Sequence, residues 1–143
     1  MQFTPHNYQS YCIQRVVEDP AVGLFLRPGL GKTVITLSAI NILKYFRWQV
    51  QKVLVVAPKK VAEATWSKEA AKWDHLKHIR TATVLGSSTK RIKALNTPAD
   101  VYVINREMWS GLWTTTSRIG PLTWWCLMRA PALRTARANA LRL

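Results

Sequence analysis

The sequence predicts an open, mostly parallel α/β sheet flanked by helices, on three observations. Short apolar runs alternate with helical periods over the first hundred residues. One long helical period joins two of those runs, as a parallel crossover requires. A glycine-rich turn falls between strand and helix, where open α/β sheets place their ligands. Taken in order, residues 5–19 begin with Pro5, suited to a first helical turn, and space Tyr8, Tyr11, Cys12, Ile13, Val16 and Val17 along one broad apolar face. Ala21 to Leu26 is a short apolar run after Asp19-Pro20, and Lys52 to Ala57 is a second, rich in valine and closed by Pro58. Both read as buried parallel strands, with a helix over about residues 32–47 between them. Val61 to Trp73 is helical in period and Thr81 to Leu85 is strand-like. Ser87 or Ser88 can cap a short basic helix to Leu95, and Val101 to Asn105 is a further strand.

Gly29-Leu30-Gly31-Lys32-Thr33 carries the clearest chemistry. A strand that enters a glycine turn and leaves as a helix exposes consecutive backbone N–H groups and aims the positive end of the helix dipole at them, which suits a polyphosphate. Lys32 would lie along the β- and γ-phosphates, and the Thr33 hydroxyl would ligate the bridging magnesium ion. The fit to the general G-x-x-x-x-G-K-[ST] pattern is partial, because its first glycine falls on Leu26. Gly29 and Gly31 must then make the turn. Pro28 also removes one amide donor beside it. A plain strand-to-helix turn is the other reading.

The 143 residues suffice for one domain. No apolar run approaches the roughly 18 residues of a membrane helix, and the chain opens on no signal peptide, so a soluble cytoplasmic protein without a membrane partner is expected. Cys12 and Cys126 have neither zinc-ligand nor disulfide-framework spacing, and both are expected as reduced thiols. The net charge of +14 divides unevenly: the first 107 residues hold 16 basic and 7 acidic side chains, and the last 36 hold five arginines and no acid. A basic surface suits nucleic acid through counterion release, and equally any polyanion or a solvated face.

In order, Tyr8-Gln9, Gly29 to Thr33, Val53 to Lys59 with Trp66 and Trp73 behind it, and Asp100 to Glu107 resemble the first motor lobe of superfamily 2 helicases, nearest to SWI/SNF-related DNA translocases and their phage relatives. The resemblance covers residues 1–107. It implies an incomplete RecA-like P-loop NTPase lobe, with ATP and Mg2+ as cofactors and double-stranded DNA as partner. Gln9 would read adenine, for which a carboxamide can both donate and accept; an exposed helix glutamine is the alternative. Gln9, Gly29, Leu30, Gly31, Lys32 and Thr33 form the implied nucleotide site, with Lys32 and Thr33 as its catalytic members. Lys59, Lys60 and Arg106 are the implied DNA contacts, against the alternative of ordinary surface cations. Trp66 and Trp73, seven apart, read as core. Arg27 and Pro28 depart from the family, whose members carry an acidic residue and a methionine there.

Beyond Glu107 the composition changes. Lysine disappears, and four of the seven tryptophans fall at 109, 113, 124 and 125. The family also needs a hydrophobic strand ending in Asp-Glu to hold magnesium and orient water, yet no acidic residue follows Glu107. The genetic code offers an account. Thr123-Trp124-Trp125-Cys126, read one base earlier, necessarily encodes Val-Val, and a permitted codon choice over Pro121 to Arg129 gives Pro-Phe-Asp-Met-Val-Val-Leu-Asp-Glu. Residues 108–143 are therefore expected to be an out-of-frame tail, leaving a truncated lobe without its second motor lobe and with little or no hydrolysis. The competing reading is a genuine basic appendage with an arginine-bearing helix over Ala132 to Leu143. Two further classes stay open for the whole: a non-catalytic basic nucleic-acid-binding protein, or another small P-loop NTPase such as a nucleotide kinase.

Overall fold

β2 (Val53–Ala57) lies inside the sheet because all five of its residues are buried, and it carries parallel neighbours on both sides. The computed structural model describes residues 1–105 together with the backbone of two strands at 124–127 and 139–142. The helices are α1 (Asn7–Glu18), α2 (Lys32–Asn41), α3 (Lys59–Lys72) and α4 (Ser88–Asn96). The other strands are β1 (Val22–Phe25), β3 (Thr81–Val84), β4 (Val101–Asn105), β5 (Trp124–Leu127) and β6 (Asn139–Arg142). One sheet runs β3-β4-β2-β5 and a second pair is β1-β6. Every pairing among these described strands is parallel, with Val53 opposite both Val101 and Trp124.

Strand alternation splits the core into two layers. Val53, Val55 and Ala57 of β2, with Val101 and Val103 of β4, pack with Val34, Leu37 and Ile40 of α2 and Ala62, Trp66 and Ala70 of α3. Leu54 and Val56, with Tyr102 and Ile104, face Ala82 and Val84 of β3 and Leu95 of α4. Helices therefore cover both faces of β2 and β4, and strands buried on both sides read as the continuous apolar runs seen in the sequence. Trp66 is fully buried, and Trp73 is half-buried, edge-on to Phe3 at 5.2 Å, so both serve the core as expected. Ser87 caps α4, its hydroxyl accepting from the Lys90 N–H.

Three elements differ from expectation. β1 is half-buried with Phe25 60% exposed, and it pairs with β6 and not with β2; an apolar run alone does not say how much cover a strand receives. The long helix is α-helical only to Asn41 and continues as a π-helix over Ile42–Phe46. That wider turn brings Lys44 and Tyr45 onto fully buried Asp100: Lys44 pairs with it at 2.8 Å, the Tyr45 hydroxyl donates at 3.1 Å, and the Arg80 N–H donates at 2.8 Å. Third, β5 and β6 are strands where no in-frame strand period is legible, and β6 makes residues 139–142 a strand inside the 132–143 span where the appendage reading expected a helix. Arg106, the junction at 107–108 and the remainder of the tail lie outside the described residues.

Candidate nucleotide-binding site

The glycine loop leaves β1 and enters α2 through two left-handed residues, Gly29 at φ +88° and Gly31 at φ +75°. A side chain at either position would be strained, which is why the turn needs glycine there. The Leu30 N–H donates to the Arg27 carbonyl at 3.4 Å and closes the turn, and Ile35 N–H makes the first helical bond, to Gly31 O. The amides of Gly31, Lys32, Thr33 and Val34 precede that bond, so the helix itself supplies them no acceptor. Four donors and the dipole thus converge at the start of α2.

Lys32 is folded across this loop. Its Nζ donates to Leu26 O at 2.7 Å and Arg27 O at 3.0 Å, so the ammonium sits among the loop carbonyls beside the amide cluster. Bonds from an ammonium to an anion are stronger than those to neutral carbonyls, so an arriving phosphate competes well for it. Thr33 occupies the second helical position and is half-buried. A Cβ built on Gly29 meets nothing within 4 Å, which leaves room for a ligand to lie against the backbone. The donor set and this open approach fit a magnesium polyphosphate. No group of three or more His, Cys, Asp or Glu side chains able to hold a metal occurs among the described residues; Thr33 and the phosphates themselves would supply the ligands.

Gln9 reaches the same loop from a distant part of the chain. It is buried, 7% exposed, and a Cβ on Gly31 would come within 2.8 Å of its Nε2. Its Oε1 accepts from the His6 N–H at 3.0 Å, which fixes the carboxamide orientation and turns the amide nitrogen toward Gly31. The reading of Gln9 as an exposed helix residue does not match this placement. Tyr8 strengthens the junction, its hydroxyl donating to Leu30 O at 3.3 Å. Its apolar helix spacing in the sequence carried no sign of that hydrogen bond.

Lys59 and Lys60 are exposed on the first turn of α3, just past the carboxyl end of β2. The glycine loop follows β1, which belongs to the separate β1-β6 pair, whereas Lys59 and Lys60 stand on the carboxyl edge of the β3-β4-β2-β5 sheet. Asn105 ends β4 opposite Ala57 on that edge, and Arg106 follows it outside the described residues. A separate cavity of about 430 Å³, lined by residues including Phe3, Ile13, Ser38 and His75, lies behind α1 and takes no residue of the loop.

The SNF2-related domain family model matches residues 15–128. The chain belongs to this family. It is also 38% identical over 106 residues to "Putative protein p41" of Acyrthosiphon pisum secondary endosymbiont phage 1, an alignment that covers 73% of this chain and 23% of p41. The chain thus spans about a quarter of that relative's length. The SNF2-related family comprises helicase-like ATPases that use ATP with Mg2+ and act on DNA. The parallel sheet with helices on both faces is that of a partial RecA-like lobe. No described helix is long and apolar enough to cross a membrane.

Proposed function

We propose that this chain is the ATP-binding beginning of a DNA-dependent translocase motor, and that alone it binds MgATP weakly without hydrolysing it. The contact between Gln9 and Gly31 carries the reading. A plain strand-to-helix turn has no need of a carboxamide brought from residue 9 and oriented by its own hydrogen bond, whereas a nucleotide site does: phosphates on the amides of Gly31 to Thr33, adenine against Gln9. Lys32 would exchange Leu26 O and Arg27 O for the phosphates, and the Thr33 hydroxyl would help to hold the magnesium ion. Lys59 and Lys60, past the carboxyl end of β2, and Arg106, next in sequence after β4, meet the backbone of double-stranded DNA.

Hydrolysis needs an acidic pair at the end of a strand, and the sequence has no acidic residue after Glu107. The domain proposal follows: a partial ATP-binding lobe over 1–107, and an out-of-frame tail over 108–143. Support comes from β5, which spans Trp124–Leu127 where the shifted reading encodes Met-Val-Val-Leu. The proposal concerns the identity of the side chains in that strand, not its existence. Coding DNA whose codons forbid Asp-Glu in the neighbouring frame at Met128-Arg129 overturns it.

A non-catalytic nucleic-acid-binding role remains the second reading, favoured by one observation: Lys32 is already satisfied by its own loop carbonyls. ATPase and DNA-binding assays on the purified chain separate the two. The translocase reading expects MgATP binding lost in Lys32→Ala, with turnover absent even when duplex DNA is added. DNA binding with a steep salt dependence and no response to MgATP or to Lys32 substitution supports the second reading.

A further inference from the structure

At the opposite edge of the sheet, the connection from α2 to β2 presents an aromatic turn that the nucleotide site does not use. Phe46 is 74% exposed and Trp48 82% exposed, with Tyr45 beside them at the surface. The backbone holds them there. Arg47 N–H donates to Ile42 O and Gln49 N–H to Leu43 O, both at 2.9 Å, while buried Val50 anchors the return. Lys44 Nζ donates to Gln51 O. Trp48 has φ +56° and is the one non-glycine residue with positive φ among the described residues. A bulky residue is costly in that region, and strained positions of this kind cluster at functional sites. The π-helix at Ile42–Phe46 sits immediately before it, and such wide turns concentrate at functional positions.

Charge identifies the partner. Lys44, Arg47 and Lys52 surround the aromatics in sequence, and no acidic residue occurs between Asp19 and Glu63. Arg80 lies against Asp100 next to Tyr45, and the His78 ring meets Tyr45 edge-on at 4.7 Å. Asp100 is the acid these groups approach, and its carboxylate is 1% exposed and engaged by Lys44. Exposed aromatic rings interleaved with cations are the chemistry that stacks unpaired bases and follows a phosphate backbone. A protein partner of ordinary composition explains the rings but not the surplus of cations around them, since Asp100 is buried and already paired with Lys44.

We propose that Phe46 and Trp48 form a stacking platform for an unpaired nucleic-acid strand, separate from the nucleotide loop. The two lie at opposite ends of one helix of 15 residues, roughly 22 Å apart at 1.5 Å per residue. This platform does not depend on ATP. It gives a motor that works on duplex DNA a place to hold a displaced or frayed strand.

The test uses the 143-residue chain with a fluorescently labelled oligothymidylate of about a dozen nucleotides, followed by anisotropy at low salt. Trp48→Gly removes the ring while relieving the positive φ, so it keeps or raises the urea midpoint and weakens strand binding about tenfold, the typical loss for one stacked base. Phe46→Ala weakens binding similarly. Lys32→Ala and added MgATP leave strand binding unchanged, which separates this proposal from the ATP-binding reading. A blunt duplex of equal length shows little difference between the parent chain and Trp48→Gly. Equal strand affinity for Trp48→Gly and the parent overturns the proposal. So does a loss of self-association in Trp48→Gly at unchanged strand affinity, which assigns the patch to a second copy of the chain.

Discussion

Gly29→Ala and Gly31→Ala probe the glycine loop with the same added methyl group in two different surroundings. Both residues have positive φ, so each substitution incurs the left-handed penalty of about 1–2 kcal/mol. At Gly29 the new Cβ meets nothing within 4 Å, and the penalty ends there. At Gly31 it meets Gln9 Nε2 at 2.8 Å and Val34 Cγ1 at 3.1 Å. Gln9 must then withdraw, at the cost of its bond from the His6 N–H, worth about 0.5–1.5 kcal/mol net. Gly31→Ala is expected to cost about 2–3 kcal/mol in all. Urea unfolding followed by circular dichroism reads the difference. Adding Gln9→Ala removes the obstacle, so the double variant is less destabilised than the sum of its parts by about 1 kcal/mol. Equal costs at Gly29 and Gly31, or strict additivity with Gln9→Ala, would refute the contact between α1 and the loop.

Two other consequences concern buried charge. Asp100→Asn leaves the Lys44 ammonium without its carboxylate and is expected to cost about 3 kcal/mol in urea unfolding, as breaking buried pairs does. Burial disfavours the charged form of Asp100, but Lys44, the Arg80 N–H and Tyr45 outweigh it and hold the carboxyl below the usual carboxylate range. A depressed carboxyl contributes stability above about pH 4 that is lost as pH falls through its folded value, so the Asp100→Asn deficit shrinks in acid; an undiminished deficit contradicts the assignment. His75 is held below the ordinary histidine value, first by burial and then by His78, and its Nε2 lies 2.9 Å from Ser38 Oγ. The unfolded chain therefore takes up a proton before the folded chain does. Stability falls as pH drops below about 6.5, and His75→Gln flattens that slope in unfolding midpoints measured from pH 7 to pH 5.

The parts of the fold legible from sequence were those with a local cause. Gly29 and Gly31 state a turn between strand and helix, Ser87 caps its helix directly, and the valine runs of β2 and β4 are apolar because both faces are covered. Where tertiary partners decide, the residues alone were ambiguous. Gln9 reads from the resemblance as an adenine contact and from its helix as a solvent-facing residue, and only the α1–loop contact shows it buried. The α2 period looks uniform to Arg47, yet the pull of Asp100, 55 residues beyond Tyr45, accompanies the change to a π-helix at Ile42. β1 resembles β2 in composition and differs in cover, with Phe25 left in solvent. The ammonium of Lys32 is where the motif puts it along the chain, but its present acceptors are its own loop carbonyls, a detail no motif contains.

The central claim is a magnesium nucleotide gripped by the amides of Gly31 to Thr33 with adenine at Gln9, and calorimetric titration of the purified chain with MgATP tests it most directly. The account predicts binding that disappears in Lys32→Ala, together with a preference for MgATP over MgGTP that disappears in Gln9→Ala. No heat of binding at millimolar MgATP, or binding untouched by Lys32→Ala, would contradict it.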